Sequence, residues 1–255
     1  MAVWLILLSC GYALAAYHGS LGLQSLPAFA LLALAWAALR YPRLRWVGHG
    51  LFVVLALALA LHRLPGFDNA RVIDAVVLSP GATPLTLYLN LDKPLAGFWL
   101  LLACPWLILK RRGSLRGLAL RVLGTVAIVL TAGVMLGVIT WAAKWPEGAW
   151  LWAANNLLLV CIVEELLFRG YIQGGLGRLF ERWSGGQTLA LLAASVLFGV
   201  AHLGGGWQWF LLATAAGLGY GLAYRYAGLA GAVTCHFGLN LAHFGLFTYP
   251  LLASQ

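Results

Sequence analysis

Nine apolar runs follow one another along this chain, at about 2–17, 22–39, 46–61, 95–109, 118–143, 148–173, 188–203, 209–224 and 229–247. Runs near 20 residues match the hydrocarbon thickness of a bilayer, where every backbone polar group has to be paired internally. Helices packed side by side satisfy both demands. The expected fold is therefore all-α, a polytopic transmembrane helix bundle of about eight to nine spans. Charged residues make up only 9% of the 255 and hydrophobic ones 62%, with a mean hydropathy of +0.89. A soluble domain carries about 25% charged residues, so a water-exposed globular fold is excluded.

The connectors give the expected orientation. Arginines and lysines gather in Arg40-Tyr41-Pro42-Arg43-Leu44-Arg45, in Lys110-Arg111-Arg112 with Arg116, in Arg178 with Arg182, and at Arg225. With the N-terminus inside, each cluster follows an even-numbered span and faces the cytoplasm, as the positive-inside rule requires. Nine spans put the C-terminus outside; eight would put it inside. The net charge of +9 thus signals topology rather than a nucleic-acid partner. The long connector 62–94 then lies outside the cytoplasm, either as a partly ordered loop over the membrane or as a plain surface connector. The four cysteines, Cys10, Cys104, Cys161 and Cys235, lie singly in apolar runs. That spacing excludes a zinc finger or a disulfide framework. Leu7-Leu8-Ser9-Cys10 looks like a lipoprotein cleavage box but lacks a basic segment before it, so it reads as part of a first span.

Against this background one stretch is anomalous: Val160 to Gly170, which holds Glu164, Glu165 and Arg169 in an apolar run. The chain has only seven acidic residues, and a charge inside a membrane costs at least about 2.5–3.5 kcal/mol. Residues four apart share a helix face, so Glu165 pairs with Arg169, while Glu164 points about 100° away. One carboxylate is then held ionised and the other is free to face a cavity, the division that acid–base chemistry uses. A cluster that merely knits helices together is the competing reading. Two later runs add Phe198 with His202 and His236 with Asn240, each pair one turn apart, with His243 a further turn along. At 1.5 Å per residue, Glu164 lies about 14 Å from its cytoplasmic helix end, His202 about 21 Å and His236 about 10 Å. Tilt or a dipping loop has to close that gap. Gly199, Gly217, Gly219, Gly221, Gly231 and Gly238 recur in the same runs, where small residues let helices approach closely.

The ordered set E-E-x-x-x-R, F-x-x-x-H and H-x-x-x-N resembles the CPBP family of intramembrane endopeptidases. That family includes the type II CAAX prenyl proteases and the bacteriocin-processing and immunity (Abi) proteins. The motifs here are Glu164-Glu165-Leu166-Leu167-Phe168-Arg169, Phe198-Gly199-Val200-Ala201-His202 and His236-Phe237-Gly238-Leu239-Asn240. The resemblance covers roughly residues 150–247 and implies a catalytic core at 146–255 behind an N-terminal scaffold at 1–145. It also implies hydrolysis of a peptide bond in a membrane-associated protein or peptide by a glutamate-activated water. In that scheme Glu164 is the base and His202 helps hold the water. His236 and Asn240 polarise the carbonyl and stabilise its oxyanion, while Glu165, Arg169 and Phe198 support them. No serine or cysteine is framed as a nucleophile; Ser195 sits seven residues before His202 without a motif around it. Glu with two His is also a zinc set with an open position. The chain has no H-E-x-x-H pair, and the expectation is no metal, with zinc the alternative. The rival class is a proton-coupled transporter using a Glu/His/Arg relay, against which stands the absence of paired broken-helix repeats. The expected setting is a multi-pass integral protein of a bacterial inner membrane, with the lipid bilayer and a membrane peptide as its partners and no nucleic acid.

Overall fold

A computed structural model describes residues 1–108 and 113–253; the basic connector Lys110, Arg111 and Arg112 lies outside them. The helices are α1 (Ala2–Tyr17), α2 (Leu26–Leu39), α3 (Arg45–Ala60), α4 (Lys93–Ala103), α5 (Leu115–Met135), α6 (Ala149–Leu179), α7 (Gly186–Ala201) and α8 (Trp207–Leu246). Each begins within a few residues of an apolar run, but α4 and α5 stop at Ala103 and Met135, short of run ends expected at 109 and 143, and α6 runs on to Leu179, past an end expected at 173. Their outer faces carry Val3, Leu115, Leu123, Ile128, Met135 and Trp150, an apolar exterior suited to lipid rather than water. Two helices, Leu115–Met135 and Ala149–Leu179, are long and apolar enough to cross a membrane; five others are apolar but shorter.

The last two runs form one element that doubles back. Gly228 sits at φ 69° and ψ −161°, a conformation for which glycine is the natural residue. Around it Tyr220 stacks on His236 at 4.5 Å between ring centroids, and Trp209 meets His243 at 5.9 Å. A straight helix would set Tyr220 and His236 about 24 Å apart, so α8 is an antiparallel helical hairpin with limbs 207–227 and 229–246. Its first limb lies close against two neighbours. A Cβ on Gly217 would come within 3.1 Å of Ser195 Cα on α7, and one on Gly219 within 2.2 Å of Thr125 Oγ1 on α5. Any side chain at Gly219 would push α5 away.

The all-α expectation needs one correction, because the 62–94 connector holds a β-hairpin. β1 (Ala70–Val76) pairs antiparallel with β2 (Leu85–Leu89), with irregular register on both sides of Ile73. Alternation drives it: Leu85 and Leu87 lie on one face of β2 and pack into the aromatic cluster of Trp152, Phe244 and Tyr249. The base is tied down as well. His62 Nδ1 meets Asp92 Oδ2 at 2.5 Å, Asn69 Oδ1 accepts from Leu91 N at 2.7 Å, and Tyr12 Oη donates to Leu91 O at 2.6 Å. Asp92 also caps α4 by accepting from Lys93 N at 2.8 Å. This connector is an ordered element.

Two interiors result. One joins α1–α4 to one side of α6 around Phe52, Leu59, Trp99 and Leu100. The other joins α5, α7 and α8 around Val129, Phe198, Tyr220 and Leu239. α6 runs between them, and the polar residues lie along it.

Candidate functional site

α6 is not a uniform α-helix. Asn156–Cys161 and Leu166–Gln173 take π-helical hydrogen bonding, and the short α-helical turn Ile162–Glu165 lies between them. Such widened turns recur at functional sites, because they re-aim side chains that regular geometry would direct elsewhere. Here they bracket the two glutamates.

Glu165 is wholly buried between two partners. Its Oε2 accepts from Arg169 Nε at 3.1 Å, the pair expected from i,i+4 spacing, and its Oε1 meets His236 Nδ1 at 2.9 Å. Glu165 and Arg169 are both 0% exposed. The Arg169 guanidinium carbon lies 5.1 Å from the centre of the Phe198 ring and 5.8 Å from that of Tyr220, within cation–π range. Its Nη1 and Nη2 find no hydrogen-bond partner among the described residues.

Glu164 is placed differently. Its side chain is 31% exposed, its Oε2 has no hydrogen-bond partner among the described residues, and that oxygen lies 4.0 Å from His236 Nε2. The separation is too long for a direct hydrogen bond and suits an intervening molecule. The imidazole of His236 therefore bridges the glutamates, with Nδ1 on Glu165 and Nε2 toward Glu164. Tyr220 stacks flat on that ring, and Phe198 meets it edge-on at 5.7 Å.

His202 follows the last residue of α7. Its Nδ1 is 2.8 Å from Phe198 O; the carbonyl can only accept, so Nδ1 carries the hydrogen, and in the neutral ring Nε2 is the acceptor. Phe198 is thus a hub, touching Arg169, His202, Tyr220 and His236. Asn240 Nδ2 donates to Asn156 Oδ1 at 3.2 Å, and the same oxygen accepts from Cys161 Sγ at 3.2 Å.

A cavity of about 340 Å³ brings these groups together. Glu164, His202, His236 and Asn240 all line it, with Phe198, Asn155, Asn156, Tyr220 and His243. Glu165 and Arg169 stand behind its wall. Leu85, Thr86 and Leu87 of β2 close one side, and Val129, Leu130 and Ile139 contribute from α5 and the segment after it. Chain from before residue 146 therefore helps build the site. A second cavity shares its His202, Trp209, Asn240, His243 and Tyr249 and runs on to Gly204, Gly205 and Pro250.

Sequence reasoning passed over Asn155, Asn156 and Tyr220. An available signal was the Asn-Asn pair eight residues before Glu164 in the same apolar run. His243 was noticed only as a further turn; its Nε2 meets Thr248 O at 3.1 Å. Ser195 is fully buried and donates to Leu191 O at 2.8 Å, so its hydroxyl is committed to its own helix. Among the described residues no three His, Cys, Asp or Glu side chains converge as a metal site.

The arrangement can hold a small polar molecule between an unpartnered carboxylate oxygen and imidazole nitrogens, beside carboxamides. Comparison with known proteins agrees with the motif reading. Residues 146–242 match a family described as type II CAAX prenyl endopeptidase Rce1-like. No curated protein and no solved structure matches the chain. Over residues 146–242 the chain is therefore similar to the Rce1-like type II CAAX prenyl endopeptidases, a family of integral membrane proteases.

Proposed function

We propose that the chain is an intramembrane endopeptidase that cleaves a membrane-associated peptide with a water activated by Glu164. The observation carrying this reading is the free Glu164 Oε2 facing His236 Nε2 across 4.0 Å, in a cavity that His202 and Asn240 also line. A water between these groups would give a proton to Glu164 as it attacks the carbonyl carbon. The His202 Nε2 lone pair would accept the water's other hydrogen. With Nδ1–H committed to Glu165, a proton on His236 Nε2 would face the carbonyl oxygen. That ring and the Asn240 carboxamide stabilise the developing oxyanion, a contribution that is often the largest single one. Arg169 balances Glu165, which orients the His236 ring. Glu164 then returns its proton to the leaving amine.

No metal is required in this scheme, and zinc remains the alternative to be tested. Activity should survive exhaustive chelation, with no stoichiometric zinc in the purified protein; activity lost on chelation and restored by zinc would recast His202 and His236 as ligands. The matched family makes a prenylated C-terminal tail the first substrate to try. No observation favours the transporter reading. Purified protein in liposomes should cleave a membrane-anchored peptide without carrying protons. Proton flux without cleavage would reverse the assignment. A multi-pass topology, with the arginine connectors on the cytoplasmic side of a bacterial inner membrane, belongs to the same proposal.

A further inference from the structure

We infer that β2 is a docking edge for the substrate: an extended peptide segment pairs with Leu85–Leu89 as a third strand and is thereby laid beside Glu164. The inference rests on the endopeptidase reading and adds the conformation and backbone partners of the bound chain.

The sheet has two strands, and β2 pairs with β1 along one edge only. Among the described residues, the backbone of Leu85–Leu89 makes no hydrogen bond to any segment other than β1. Successive strand residues point to opposite faces, yet Leu85, Thr86 and Leu87 all line the Glu164 cavity while no residue of β1 does. β2 thus turns its open edge, with alternating N–H and C=O groups, toward the cavity. An open strand edge is a template for another chain.

Three further observations favour a peptide as the occupant. The edge is held firmly: Leu85 and Leu87 pack on Trp152 and Phe244, and the hairpin base is tied through His62, Asn69 and Asp92. The chain just before β2 already accepts an extended segment, with Thr83 N donating to Leu251 O at 2.9 Å and Ala253 N to Gly81 O at 2.8 Å. The chemistry makes the same demand. In a helix the carbonyl to be attacked is tied to the N–H four residues on, so a helical span has to become extended before a water at Glu164 can reach it. Strand addition replaces the backbone bonds lost in that opening, with main-chain bonds supplying the affinity.

The test uses the full chain in detergent and a farnesylated, dye-labelled peptide ending in a CAAX sequence. In successive variants of the peptide, one backbone amide near the cleaved bond is replaced by an ester, which removes a single N–H without adding bulk. The expected result is an alternating pattern: esters at every second position raise KM about 3- to 10-fold, as for the loss of one hydrogen bond, and those between leave it unchanged. Cleavage of the whole series with a flat KM would overturn the inference while leaving the endopeptidase reading intact. Failure to cleave even the unmodified peptide would remove that reading, and the inference with it.

Discussion

The two interiors of this molecule handle polarity in opposite ways. Around α1–α4 the packing is aromatic and aliphatic. Phe52 stacks on Trp99 at 4.0 Å, Leu59 and Leu100 are sealed, and Trp99 Nε1 donates to Leu32 O at 2.7 Å. Along α6 the polar groups are only partly answered. Among the described residues, every unpartnered buried side-chain atom except Ser79 Oγ belongs to that helix, on Asn155, Glu164, Arg169 and Gln173. Buried polar atoms are normally paired, and the exceptions gather on this one helix. Glu165 and Glu164 repeat the contrast at adjacent positions, one closed between Arg169 and His236 and the other open to the cavity.

Substitutions can break that comparison. The largest effect is expected at Arg169. Removing it strands Glu165 as a buried charge, a loss of about 3–5 kcal/mol, so Arg169→Ala should lower both the melting temperature and the turnover. In the apolar interior, Leu59→Ala should cost about 2–5 kcal/mol through the cavity it leaves. The protein that remains folded should show the wild-type kcat. A Leu59 variant with normal stability and impaired turnover would dissolve the distinction between the two interiors. Within the site, Asn240→Ala should lower kcat about 100- to 1000-fold, as expected for one oxyanion donor, with only a small shift in melting temperature. Unchanged kinetics would remove Asn240 from the mechanism and leave it as a packing partner of Asn156.

Much of this organisation was legible in the sequence, for reasons that also mark where legibility ends. Helix positions followed broadly from the apolar runs, although the ends of α4 and α5 did not. The Glu165–Arg169 pair followed from i,i+4 spacing, and the different placement of Glu164 followed from being one residue away. The hairpin was not legible. Its strands are short, their pairing is interrupted around Ile73, and their apolar face has meaning only once Trp152 and Phe244 are in place. Asn156 escaped for a geometric reason. On a regular α-helix it would lie about 140° around from Cys161, and only the π-helical turn brings the two within hydrogen-bond range. How His202 and His236 come to line one cavity was also hidden, because the path of α8 reverses at Gly228, which spacing along the chain cannot supply.

The most direct test of the account is Glu164→Gln, measured for melting temperature and turnover in the same detergent as the wild type and Arg169→Ala. The substitution keeps the side chain's shape and removes only its ability to take a proton, and Glu164 supports no buried ion pair as close as that of Glu165. The account predicts a protein that melts close to the wild type and cleaves nothing. A Glu164→Gln protein that retains wild-type turnover, or one that is less stable than an active Arg169→Ala protein, would contradict it.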